Sequence, residues 1–87
     1  MESIDFYPFM KVSLNNEYGV VTDQFVETPP NYGGDKQYGL IRWDSKKESD
    51  FEDWRGLFGV FVSQGGHEIA KDHQFKYIND DGSFKGK

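Results

Sequence analysis

Apolar and polar residues follow one another here in short runs broken by clusters of turn-forming residues, a spacing that predicts strands. Phe6 to Leu14 is the first run, with Pro8 near its start, where an edge position need not supply an N–H. Asn15-Asn16-Glu17 turns the chain into a second strand from Tyr18 to Glu27. Its apolar positions, Val20, Val21, Phe25 and Val26, interrupt strict alternation and predict a bulge or bend near Thr22-Asp23. Thr28 to Lys36, with two prolines and two glycines, is the clearest loop. Tyr38 to Asp44 follows as a third strand. Gly39, Ile41 and Trp43 share one face and Tyr38, Leu40 and Arg42 the other, so both faces carry apolar groups, as in a closed or well-covered sheet.

Ser49 followed three residues later by Glu52 matches a capping box and predicts one short helix or helical turn over residues 49–55, ended by Gly56. Phe51 and Trp54 would then share one side and dock it on the sheet. Leu57 to Ser63 reads as a fourth strand, Gln64-Gly65-Gly66-His67 as a hairpin-like turn into His67 to Ala70, and Phe75 to Ile78 as a last strand. Asn79-Asp80-Asp81-Gly82 is a turn. The expectation is an all-β, or β-rich α+β, fold of five to six short antiparallel strands. One domain spans residues 1–82, and residues 83–87 form a flexible tail.

At 87 residues, burial on folding only narrowly exceeds the conformational entropy lost. With no cysteine, no disulfide can help, and a reducing cytoplasm fits better than a secreted scaffold. Rings are the substitute: eight Phe, five Tyr and two Trp make 17% of the chain, and each buries more area than an aliphatic side chain. Met1 to Phe6 carries acids where a signal peptide needs bases, and no apolar run approaches the roughly 18 residues of a membrane span. A net charge of −5 works against phosphate backbones, which demotes nucleic acid as a partner and favours a basic protein surface.

Candidate chemistry is sparse. His67 and His73, with Glu68 and Asp72 nearby, offer imidazoles for a metal or a general base, but a spacing of six matches no common zinc pattern. Ser63 and Ser83 complete no recognisable triad with them. Counting back from Gly82 as the sixth position of a calcium loop puts Tyr77 where the first carboxylate belongs, so that match fails. Gly56, Gly59, Gly65 and Gly66 fit no phosphate-cradling motif. No catalytic residue, metal or cofactor is assigned. Asp44 to Asp53 does concentrate five acids, Asp44, Glu48, Asp50, Glu52 and Asp53, against Lys46 and Lys47. That is either a solvated loop or an acidic docking face with Phe51 and Trp54 as ring anchors. Tyr7, Tyr32, Tyr38, Trp43, Trp54 and Tyr77 exceed what so small a core hides, so some line a groove or patch.

Gly19-Val20-Val21 followed by Tyr38-Gly39-Leu40-Ile41-Arg42-Trp43-Asp44 resembles the core hairpin of SH3-like small barrels, in particular the Tudor-like branch. The likeness covers about residues 10–44; the Ser45 to Gly56 insertion and the Gly65-Gly66 turn depart from it. Such barrels are mostly non-enzymatic modules that bind peptides, modified side chains or nucleic acid, so the resemblance implies binding rather than turnover. The small, acidic, ring-rich make-up also resembles accessory proteins of bacteriophages that bind and inhibit a host protein in its cytoplasm.

The function expected from the sequence is therefore a non-enzymatic binding module for a protein partner. Its contact residues would be Asp50, Phe51, Glu52, Asp53 and Trp54, with a second patch from Tyr32, Tyr38 and Arg42. The alternative is a small-molecule or nucleotide binder, a sponge or sensor with an aromatic pocket. An enzyme ranks third.

Overall fold

In a computed structural model of the protein, which describes residues 5–27 and 36–85, the first hairpin is fixed by two asparagines. Asn15 and Asn16 both take left-handed backbone angles, φ 53° and 65°. That is the two-residue turn whose twist matches antiparallel strands, and asparagine tolerates it well. It joins β1 (Lys11–Leu14) to β2 (Glu17–Val21) with Leu14 opposite Glu17. The first strand starts later than the apolar run suggests, because Tyr7 to Met10 makes a turn around Pro8, with the Met10 N–H on Tyr7 O at 3.2 Å.

The bend expected near Thr22-Asp23 is present and divides the second run in two. Past it, β3 (Phe25–Glu27) pairs with β4 (Lys36–Tyr38) as a separate two-stranded sheet, where the rings of Phe25 and Tyr38 sit 5.5 Å apart. The chain returns through Gly39 into β5 (Leu40–Trp43), which pairs with β2, and β6 (Phe51–Asp53) pairs with β5. After α1 (Phe58–Ser63), β7 (His67–Glu68) returns to β1. The main sheet thus has five antiparallel strands in the order β6-β5-β2-β1-β7.

The fold is β-rich with one short helix, as expected, but the helix stands elsewhere. Residues 49–55 were expected to coil around a Ser49–Glu52 capping box; instead Glu52 lies opposite Ile41 on a strand. The open edge of β5 offers inter-strand bonds that outweigh a local cap. Conversely, Leu57 to Ser63 reads as a strand but forms α1. Phe58 and Phe61, three apart on one helical side, close against Phe6 at ring distances of 4.9 and 5.2 Å. Tertiary packing overrides the β-branched composition here. Gly65 and Gly66 then end a helix rather than turn a hairpin. The Gly66 N–H reaches Phe61 O at 2.9 Å, the Gly65 N–H reaches Val62 O at 3.0 Å, and Gly65 has φ 98°. This is a Schellman ending.

Strand alternation divides the interior into two layers. On one face of the sheet Val12, Leu14, Val21, Ile41 and Trp43 pack with Phe6, Met10 and Phe61 under α1. On the other face Val20 packs with Phe75 and Ile78, flanked by Tyr77 and Phe84 from the C-terminal segment. Val20 faces Lys11 on one side and Arg42 on the other, so two buried cations share this second layer. Their long apolar stems make that placement possible.

Ser83–Lys85, expected in a mobile tail, are held in place: Ile78 and Phe84 form a bridge, and the Lys85 ammonium donates to Phe75 O at 2.7 Å.

Candidate functional site

The acids and rings singled out from the sequence converge on β6, an end strand with β5 on one side only. Two bonds set its phase: Trp43 N–H to Asp50 O and Trp54 N–H to Gly39 O, at 2.9 and 2.8 Å. With that phase Glu52 directs its peptide groups at β5, whereas the Phe51 carbonyl and the peptide groups of Asp53 point outward; the Phe51 N–H is taken by Ser49 O at 2.9 Å. Gly39 is essential to this join. Its φ is 144°, and a Cβ there would lie 2.7 Å from the Trp54 carbonyl, so only glycine lets the Trp54 backbone approach.

Alternation along β6 splits the five residues between two faces. Glu52 and Trp54 turn toward the layer of Ile41 and Trp43, and Glu52 Oε1 accepts both indole N–H groups, from Trp54 at 2.8 Å and Trp43 at 3.2 Å. Trp43 is buried; Trp54 is half-buried and edge-on to Phe61 at 5.3 Å. Phe51 and Asp53 emerge on the opposite face. Phe51 is 46% exposed, and Asp53 pairs with Arg55 at 2.9 Å. The hydrogen bonds from Arg55 hold the Asp53 carboxyl below its ordinary value and push the guanidinium up. Asp50, half-buried, offers its carbonyl to the ladder.

Of the second expected patch, the described residues Tyr38 and Arg42 do not form a surface together. Tyr38 lies on β4, half-buried against the first layer, and Tyr32 falls outside the described residues. Arg42 is corrected from a surface contact to a fully buried side chain. Its Nη1 donates to the carbonyls of Lys47 and Glu48 at 2.7 and 2.5 Å, and its guanidinium carbon lies 5.2 Å from the Phe51 ring and 5.4 Å from the Phe84 ring. Arg42 therefore belongs with β6: it fixes the loop after β5 and backs the exposed Phe51. The signal that could have found it is the alternation of β5, which puts Arg42 level with Val20 in the middle of the sheet.

The rings left open also differ from those expected. Trp43 is buried and Tyr7, Tyr38, Trp54 and Tyr77 lean on the two apolar layers, whereas Phe9, Tyr18, Phe25 and Phe51 are the exposed rings among the described residues. Val60 and Val62 of α1 and Leu57 before it are also exposed.

The histidines serve separate contacts. His67 Nδ1 lies 3.2 Å from Gly65 O, and the His73 ring stacks on Tyr18 at 4.8 Å. The candidate serines direct their hydroxyls elsewhere, Ser63 to Val60 O and Ser83 to Asp81 Oδ1, both at 2.7 Å. That bond from Ser83 keeps the Asp81 carboxyl low. Among the described residues no cluster of three or more His, Asp or Glu is arranged to hold a metal, and no helix is long and apolar enough to cross a membrane. An open polar pocket lined by Gln74, Asn79, Asp80, Asp81, Ser83 and Lys85 contains no ring.

No protein-family model matches the chain, and no curated protein sequence or solved structure matches it.

Proposed function

We propose that this protein is a non-enzymatic binding module whose acidic β6 edge takes up an extended, basic segment of a protein partner. The observation that carries this reading is the edge itself. Among the described residues β6 has one neighbour, turns the Phe51 carbonyl and the peptide groups of Asp53 outward, and flanks them with an exposed ring and carboxylates. An incoming strand would gain main-chain bonds from the edge, apolar contact from Phe51, and attraction from Asp50, Glu52 and Asp53. The resemblance of residues 10–44 to SH3-like barrels favours binding over turnover as well. The aromatic-pocket alternative finds less to stand on, because Tyr7, Tyr38, Trp54 and Tyr77 lean on the two layers and the open pocket is polar.

The test compares two baits in affinity capture, the wild-type chain and a Phe51→Ser, Asp53→Lys double variant. Phe51 and Asp53 are both exposed, so the variant is expected to keep the wild-type circular dichroism. A partner held by wild type, released by added salt and lost from the variant supports the proposal. Equal capture by both folded baits removes β6 as the contact.

A further inference from the structure

The second layer of the sheet holds a cation whose hydrogen bonds the fold leaves half made. Arg42 uses Nη1 on two loop carbonyls, but its Nε and Nη2, equally buried, meet no acceptor. Those two N–H groups form one edge of the guanidinium, the fork that donates to two oxygens of a single anion side by side. The rings of Phe51 and Phe84 attract the charge through their faces and leave in-plane donors unmet. Neither the Lys11–Asp80 nor the Arg55–Asp53 ion pair brings a carboxylate to it.

Lys11, the other buried cation of this layer, shows the contrast. Its three-donor ammonium reaches Lys71 O at 2.7 Å, His73 O at 2.8 Å and Asp80 Oδ1 at 3.1 Å. The same layer thus satisfies one cation completely and leaves the other with a free bidentate edge.

Residues 78–84 form the cover over Arg42. A Cβ on Gly82 would lie 3.4 Å from Arg42 Cβ, and Phe84 supplies one of the two rings. The bonds of this hairpin are largely its own: Asn79 N–H to Ser83 O, Gly82 N–H to Asn79 O, and Lys85 N–H to Tyr77 O. Upstream, Lys76 and Tyr77 are clamped by Asp44, and Ile78 is buried. Tilting the outer hairpin about Ile78 keeps its internal bonds and gives up one outside contact, the Asp80 carboxylate on Lys11 at 3.1 Å.

We propose that the Nε–Nη2 edge of Arg42 is a receptor for an oxyanion, a carboxylate or a phosphate group, admitted when residues 79–84 tilt away from the sheet. This site adjoins the β6 edge proposed above through the Phe51 ring, but its test does not depend on that reading. It is tested by following the Arg42 Nε–H signal in nitrogen-15 NMR while sodium acetate, and in a separate series inorganic phosphate, is added at ionic strength held constant with chloride. The expected result is a saturable movement of that signal in one series, which names the anion. Phe84→Ala, which thins the cover, should tighten the response about tenfold, since less of the binding free energy goes into opening. Arg42→Lys keeps the charge but lacks the fork and should lose the saturable response. The proposal is overturned if neither anion moves the signal saturably in wild type or Phe84→Ala. It is equally overturned if folded Arg42→Lys shows the same saturable response in neighbouring amides. Should Arg42→Lys not fold, the wild-type and Phe84→Ala titrations decide it alone.

Discussion

Trp54 hands its indole N–H to Glu52 Oε1 at 2.8 Å, and the same oxygen takes the N–H of the buried Trp43 at 3.2 Å. One exposed carboxylate thereby joins the end strand to the interior. Glu52→Ala leaves a buried indole donor without its acceptor and should cost about 1–2 kcal/mol. Glu52→Gln, which keeps an oxygen in place, should cost less than half of that. Urea unfolding followed by tryptophan fluorescence measures both, and equal losses would show that the carboxylate charge matters more than the bond.

Gly65 and Gly66 separate two reasons for a glycine. Gly65 has φ 98° with nothing within 4 Å of a built Cβ, so Gly65→Ala carries only the left-handed backbone cost, about 1 kcal/mol. Gly66 lacks that angle, but its Cβ would lie 2.3 Å from the Phe61 ring. Gly66→Ala should therefore cost more, about 2–3 kcal/mol, by pushing Phe61 out of the first layer. Thermal unfolding of the two variants should rank them in that order.

Asp44 is a latch for the C-terminal segment, accepting the N–H groups of Lys76 at 2.9 Å and Tyr77 at 2.7 Å. Asp44→Ala should lower stability by about 1–3 kcal/mol, since both bonds end on a charged acceptor. Hydrogen exchange should speed up most at Lys76 and Tyr77. Acceleration spread evenly over the sheet would instead mark a general loss of stability.

The Asp53–Arg55 pair gives a pH dependence of known sign. The Asp53 carboxyl is held below its ordinary 3.8 by the Arg55 hydrogen bonds, so it binds fewer protons folded than unfolded near that pH. Its contribution is complete above about pH 4 and disappears as pH falls through the lower folded value. Arg55→Gln should raise the Asp53 midpoint toward 3.8 in a carbon-13 carboxyl titration. An unchanged midpoint would show that the pair does not persist in solution.

The first half of the fold was legible because its signals are local. Asn15-Asn16 specifies its own turn, and Val20, Val21, Ile41 and Trp43 alternate as a covered sheet demands. The exchange of helix and strand between residues 49 and 63 was not legible. Ser49 and Glu52 satisfy a capping pattern, whereas α1 has no side-chain cap and a strand-like composition. What decides both segments is non-local, the open edge of β5 and the ring of Phe6. For the candidate site, the acids and Phe51 lie in one stretch of sequence, but a lone strand does not reveal which side its residues will face. Arg42 was misplaced for the same reason: its burial depends on carbonyls of residues 47 and 48 and on Phe84, far along the chain.

β1 sits between β2 and β7, and its Lys11 donates to carbonyls of residues 71 and 73 and pairs with the carboxylate of Asp80. The strand thus waits for residues translated 60 or more positions after it. Until they leave the ribosome, the nascent chain carries a half-paired strand and an unneutralised ammonium beside apolar surface. Cooperative folding is accordingly deferred until residues 71–80 have emerged, and deleting that segment should act on the whole sheet rather than on its rim.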